Sequence, residues 1–545
     1  MSAADAETKP EEGEKAEVPV SGELLYCGGT NWDLLGRMGA SNATNLVSPT
    51  RLLPLVGVDI RFVASGCTSC HCVALDVEGR CYTWGRNEKG QLGQGDTLQR
   101  SLPTIVSELS KYKIIRAGAG KNHTVVITDE GKSLSFGMNK HGQLGTGSVK
   151  NEIEPSPVMC LVSQATNAAC GADFTVWLSS VEGSSILTAG LPQYGQLGHG
   201  TNNEYNSKDG SVRLVYEPQP RPRAISAFSG KTVVKVACGT NHTVAVDSNG
   251  FVYTWGFGGY GRLGHREQKD EWVPRLVEVF QKQNVLPPNA LVSAGSVNSA
   301  CTASGGQLYM WGKLKPKADD WMYPKPVMDL SGWNIRCMDS GHMHHIVGAE
   351  TSCISWGHAQ YGELGYGPEG QKSSANPKKV DILEGMHVMS AACGTGLSLI
   401  VVDRTNAGDR LDELEVFDGE SSFEGTQENK TGNASTTKNA SKKNANSSGS
   451  KKQKGNDSDS SESHEEDDGS ASEDDEDLNG EVDGVKRKWG GRTSSRGRGR
   501  GAKRGRPRSQ TTGSDEPGPK KSTSGRGRGR GRGRGKSAKR AKSSR

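Results

Sequence analysis

The sequence predicts an all-β protein: a seven-bladed β-propeller closed by an N-terminal strand, followed by a disordered, charged C-terminal tail. Three observations predict it. Two glycine-centred marks each recur seven times and stay in phase. The segments around them are short, β-branched or aromatic, and bounded by Gly, Asn and Asp turns, with no long helical period. The chain enters on one mark and leaves on the other.

The first mark is a short strand that ends in an aromatic or small residue and then Gly. It closes at Gly28, Gly85, Gly137, Gly190, Gly256, Gly312 and Gly357, at gaps of 45–66 residues. The second is a Gly that opens an apolar strand, often with His three residues on. It falls at Gly66, Gly120, Gly171, Gly239, Gly295, Gly341 and Gly394. A third mark, Gly-Gln-Leu-Gly or a variant, covers 90–93, 142–145, 195–198, 261–264 and 362–365. It is degenerate at Trp32–Gly36 and absent after Gly312.

A period of about 50 residues built of short strands points to radial blades, whose closure protects strand edges. The Leu between the turn glycines is expected to plug the space between blades. Trp84, Phe136, Trp255, Trp311 and Trp356 are expected to pack between neighbouring sheets. Half a repeat at each end makes one blade if the termini pair.

Charge divides the rest. Residues 1–21 read as a disordered acidic N-terminus and 22–403 as the propeller. Residues 404–485 read as a disordered Ser/Asn-rich and acidic linker; 457–483 hold 14 acidic and no basic side chains. Residues 486–545 hold 23 Lys/Arg against 2 Asp/Glu and read as a disordered basic tail. No apolar run approaches a membrane-spanning length, and no export signal opens the chain, so a nuclear or cytoplasmic protein with reduced cysteines is expected.

The repeats WGRNEKGQLG (84–93), CGTNHT (238–243) and WGFGGYGRLG (255–264) resemble those of the regulator of chromosome condensation family. The resemblance covers about 22–403. TNWDLLGR (30–37), the run 261–276 (GRLGHREQKDEWVPRL) and MYPK (322–325) are similar to the family's second vertebrate member, a chromosome-passenger and telophase protein. The long charged extension is C-terminal here, so that member's tail functions do not carry over. The resemblance implies a seven-bladed propeller that binds a small GTPase on one face, in some members with catalysed guanine-nucleotide exchange, and without bond chemistry. The founding member's wedge sequence has no match. The longest insertion, between His199 and Lys231, is the candidate replacement; the alternative is a solvated loop.

For a protein partner, the candidates are Arg266, Lys269, Asp270, Glu271 and Trp272, which crowd ionic groups beside a Trp. The alternative is a solvated loop with Trp272 in the core. Trp321 and Lys325 form a second candidate. His123, His242 and His344 share one repeat position, so a structural role is expected, each ring bonded to a neighbouring backbone group. Cys67-Thr-Ser-Cys70-His71 matches a haem-attachment pattern, but no second ligand pair is spaced for zinc, and no cofactor or metal is expected. No nucleophile–base pair stands out, so no enzyme active site is expected.

In the tail, Lys503, Arg504, Gly505, Arg506, Pro507 and Arg508 resemble an AT-hook, whose extended core fits the narrow minor groove of A·T-rich DNA. Arg-Gly repeats at 496–501 and 525–535 add phosphate-neutralising charge that also suits RNA. The combined reading is a monomeric nuclear, chromatin-associated propeller that binds a small GTPase and carries a nucleic-acid-binding tail. The alternative is a non-catalytic scaffold in chromosome segregation or cytoskeleton regulation.

Overall fold

The computed structural model describes residues 22–37, 45–208, 212–317, 319–407 and 409–419. Its segments form seven sheets, each with four antiparallel strands and one with a fifth, parallel strand, plus one two-stranded hairpin. In blade 1 the strands run outward from the axis: Ile60–Ala64, His71–Asp76, Cys81–Gly85 and Arg100–Ile105. We term these positions a to d. Strands a of successive blades line the axis.

Strands b explain why the sequence shows apolar runs instead of alternation. His123–Thr128 (HTVVIT) and His242–Asp247 (HTVAVD) are buried at every residue, because each blade is sandwiched between two others. The antiparallel order puts the a–b and c–d loops on one face and the b–c and d–a loops on the other. Every strand d holds a proline: Pro49, Pro103, Pro157, Pro222, Pro274, Pro324 and Pro377. A proline offers no ladder donor, so the outer edges are poor templates for further strands.

Closure occurs as the half-repeats require. Blade 7 takes strands a and b from Val388–Cys393 and Leu397–Val402, and c and d from Glu23–Gly28 and Leu46–Leu52. The N-terminal strand pairs with the C-terminal one from Glu23↔Val402 to Gly28↔Leu397.

One expected boundary is corrected. Order does not stop at 403. Two short helices, Arg404–Ala407 and Asp409–Asp412, lead to Val416–Phe417, which pairs parallel with Leu46–Leu52. Arg51 is buried and holds this strap. Its Nη1 donates to Asp412 Oδ1 at 2.8 Å, and its Nη2 to the carbonyls of Asp412 and Leu414 at 3.0 and 3.1 Å. Arg404 donates to Glu23 at 2.7 Å and to Asp59 at 2.8 Å, tying the two ends of the propeller.

The third mark is the joint between blades. Leu92, Leu144, Leu197, Leu263 and Leu364 are all buried. A Cβ on Gly142 would lie 2.4 Å from the Cα of Pro220 in the next blade, so only glycine lets the loop dock. The recurrent histidines complete the joint. His71 Nε2 meets Thr124 Oγ1 at 2.7 Å, and His123 meets Thr175 at 2.9 Å. His242 meets Ser299, and His344 meets Ser398, each at 2.9 Å.

Each hydroxyl belongs to the next blade and donates back to a third-mark carbonyl, at Gln91, Gln143, Arg262 and Glu363, over 2.7–2.8 Å. With its one proton spent there, the hydroxyl accepts from the ring, so each His is the neutral Nε2–H tautomer. The expected backbone partner is thus replaced by a hydroxyl one blade on. Burial drives the pKa of His71, His123 and His344 down to about 3.

Candidate partner-binding surface

The loop 257–270 joins strands c and d of blade 4. Its acidic candidates are anchored. Asp270 Oδ1 accepts from Gly258 N at 2.8 Å, which closes the loop base. Glu271 and Glu267 both bind Arg275 Nη1 at 2.6 Å. His265 bonds Thr254 Oγ1 at 2.8 Å, as His199 bonds Thr188 at 2.9 Å one blade earlier, and burial lowers both to about 4.

The cationic and aromatic candidates face outward. Arg266 sits at φ 65°, and its guanidinium lies 4.3 Å from the Tyr323 ring centroid in blade 5. Lys325 lies 5.2 Å from Trp321 and 5.3 Å from Tyr323. Arg266, Lys325, Trp321 and Tyr323 therefore form one stack across the seam between blades 4 and 5, joining the two candidates read separately in the sequence. Trp272 is 43% exposed, not a core residue; its edge rests on Gly195 of blade 3. Lys269 supplies a carbonyl that packs on Gly258.

Sequence reasoning missed Arg262. It takes the Gln place of the third mark and is 3% exposed. Its Nη1 donates to the Ser296 carbonyl at 2.8 Å, and the group stacks 4.6 Å from Phe257 and 5.5 Å from Tyr260. Burial lowers its pKa to about 10. Lys313 also lies over half-exposed Tyr260, at 4.9 Å from the ring centroid. The signal was the departure from Gln to Arg at Gly261–Gly264.

On the same face, the blade 3 insertion forms a hairpin, Glu204–Asn206 with Leu214–Tyr216, outside the blade. It was read as polar, yet Tyr205 and Leu214 are each 51% exposed and Val212 is 79% exposed. Its base is closed by Glu217 N donating to Asn203 O at 3.0 Å.

The Cys67–His71 run is absorbed by the fold. His71 Nδ1 meets Ser69 Oγ at 2.8 Å and its Nε2 serves the joint described above. Cys67 is buried beneath Ser296 and Thr395, whose hydroxyls bond its carbonyl, and burial raises its thiol to about 11. The candidates Lys503, Arg504, Gly505, Arg506, Pro507 and Arg508 lie outside the described residues.

The model of the regulator of chromosome condensation (RCC1) repeat matches residues 78–127, 130–178, 185–246, 249–301 and 352–401. The chain belongs to the RCC1 repeat family. The stretch between 301 and 352 that this model leaves unmatched is where the third mark is missing. Protein RCC2 of Mus musculus is 40% identical over 404 residues, covering 70% of this chain and 76% of its own. Among solved structures, human WBSCR16 aligns with a TM-score of 0.58 at 20% identity, over 70% of this chain and 99% of its own. Prp20p of Saccharomyces cerevisiae aligns with a TM-score of 0.55 at 19% identity, over 72% and 94%. These two show the shared fold.

Proposed function

We propose that this chain is a nuclear, chromatin-associated regulator whose propeller binds a small GTPase, with a nucleic-acid-binding tail. The observation that carries the reading is the hairpin pair of strands Glu204–Asn206 and Leu214–Tyr216. It stands off blade 3 with Tyr205, Val212 and Leu214 exposed, on the face that also bears the Arg266–Tyr323–Lys325 stack. Exposed apolar side chains on a projecting hairpin are costly unless a partner covers them. Membership of the RCC1 family supports the kind of partner. So do the binding properties of Prp20p toward Gsp1p and histones.

In its sharper form the protein is a guanine-nucleotide exchange factor. The hairpin would enter the nucleotide site of the GTPase and stabilise its nucleotide-free form, with no bond made or broken. The test is GDP release from a panel of small GTPases with the full chain and with 204–216 deleted. The flanking residues Asn203 and Glu217 are already bonded at 3.0 Å, so the deletion leaves the blade intact. A larger cut to 222 would remove part of strand Gln219–Ala224. Release that is accelerated by the full chain and lost in the deletion supports exchange. Unchanged release with both proteins rejects it.

A second reading is a scaffold without exchange activity, favoured by the cation–aromatic stack, which suits an acidic partner surface. Binding lost in Arg266→Ala with no acceleration of release would select it. For the tail, preference for A·T-rich duplex over G·C-rich duplex and RNA supports the AT-hook at 503–508; equal binding rejects it.

A further inference from the structure

The seven strands a carry four cationic side chains, Arg61, Arg116, Lys235 and Arg336, and one carboxylate, Asp339. All four cations fall within the first three residues of their strands. They therefore sit at the same end of the ring of strands a, on the face opposite the hairpin. Each sits in or beside a register shift, between Ile60 and Phe62, Ile114 and Arg116, Val233 and Lys235, or Ile335 and Cys337. Such bulges re-aim side chains at the rims of closed β-structures.

None of the four pairs with a carboxylate among the described residues. Arg61 Nη2 reaches the Ile114 carbonyl at 3.5 Å, and Arg336 Nη2 the carbonyls of Val388 and Glu350 at 3.0 and 2.7 Å. Arg116 Nη1 bonds the Ile115 carbonyl at 2.9 Å, and its guanidinium lies 5.5 Å from the Phe62 ring centroid of blade 1. The Nε atoms of Arg61 and Arg336 are buried without a partner. The carboxylates of Asp76 and Asp129 act on Arg61 from a distance without pairing with it, and Asp76 is itself held by Arg80 and Tyr82; Asp403 is engaged by Thr405 and Glu350 by Asn334. Burial and the facing Arg116 lower the Arg61 pKa, and burial lowers that of Lys235.

Partly desolvated cations that share one end of the ring without a paired carboxylate are unfavourable, and a bound anion there relieves them. Guanidinium forks suit phosphate oxygens. A compact anion can meet cations from blades 1, 2, 4 and 6 at once, whereas an extended chain meets only those along its path. Asp339, deeper in the channel, keeps the anion at the mouth. We infer that this end of the channel is a binding site for a compact polyphosphate of the inositol-polyphosphate class. The inference stands apart from the GTPase reading, which concerns the opposite face.

Inositol hexakisphosphate is the probe, and the melting transition of the full chain is the readout. The basic tail binds polyanions in the folded and unfolded chain alike, so tail binding leaves Tm unchanged; only a site made by the fold raises it. The expected result is a rise of about 2–5 °C at hundredfold excess over Kd. The rise should vanish in the double variant Arg116→Ala/Lys235→Ala, whose ligand-free Tm matches the parent. Absence of a rise in the parent, or an equal rise in the variant, overturns the site. So does an equal rise with inorganic phosphate at matched ionic strength, which marks a salt effect. A larger rise with an acidic peptide overturns it in favour of a protein partner.

Discussion

The seam between blades 4 and 5 and the seam between blades 5 and 6 are built from the same repeat but joined differently. At 4/5, Gly261–Gly264 docks on the next blade, where a Cβ at Gly261 would meet Met322 Cα at 2.8 Å. His242 bonds Ser299, which bonds the Arg262 carbonyl. At 5/6 the third mark is missing. Asn298 stands in the His place with its Oδ1 buried and without a partner. His345 stands where a hydroxyl would be, turned onto Ser340 and stacked 5.0 Å from Trp356. The repeat marks are therefore seam hardware, and a seam can lose them when packing, here around Trp356, Met310 and Leu330, takes over.

The largest test concerns blade 7, where the first and last strands of the propeller meet. Deleting residues 22–28 removes the third strand of blade 7 and its pairing with Leu397–Val402. Strand Leu46–Leu52 then has no inner neighbour. Loss of a cooperative melting transition is expected; a normal transition would show that closure does not rest on this strand. The strap is the next step down. Arg51→Ala removes three hydrogen bonds from a buried guanidinium, and about 2–3 kcal/mol of stability should go with them by denaturant titration. Asp412→Ala should cost under about 1 kcal/mol, because its side chain is 82% exposed. Equal losses would assign the strap's worth to the ion pair.

The contrast between seams gives the third test. His242→Ala empties a buried ring site and strips Ser299 of a donor, so a loss of about 2–4 kcal/mol is expected. Asn298→Ala at the unwired seam should cost clearly less, since one of its polar atoms already lacks a partner. Equal costs would mean that the His–hydroxyl link contributes nothing beyond filling space.

Much of this was legible in the sequence, and the limits have a physical pattern. Blade count, closure and the plugging Leu follow from local features that recur, so repetition reinforced each reading. The His joint was only half legible. The ring recurs visibly, but its hydroxyl partner lies 52–57 residues away in the next repeat. Thr124, Thr175, Ser299 and Ser398, each just after its own repeat's first strand-b residue, were the available signal. The strap was hidden because residues 404–419 are mostly polar, with only a few apolar side chains such as Leu411 reaching the core; its polar anchors, Arg51 and Glu23, lie more than 360 positions away. On the candidate surface, the sequence placed Arg266 and Trp321 in separate patches. Only the docking of blade 4 on blade 5 sets Arg266 over Tyr323, whose ring shares Lys325 with Trp321.

The smallest effect is the most discriminating, because its sign changes with pH. Blade 3 carries Phe174 where blade 2 carries His123, so the site tolerates a phenyl ring. His123→Phe loses one hydrogen bond to Thr175 and should cost about 1 kcal/mol at pH 7.5. In the folded chain this ring stays neutral down to about pH 3, whereas in the unfolded chain it binds a proton below about 6.5. The parent therefore loses stability as pH falls through that window, by on the order of 1 kcal/mol per pH unit for this ring. The variant is spared that share. Asp339, raised to about 6 by burial, pulls the other way, but it is common to both proteins and cancels. The stability gap should close near pH 6 and reverse by pH 5. A gap that stays constant from pH 7.5 to 5 would mean that the folded protein holds this ring with the same proton affinity as the unfolded chain, and the neutral His–hydroxyl joint would have to be abandoned.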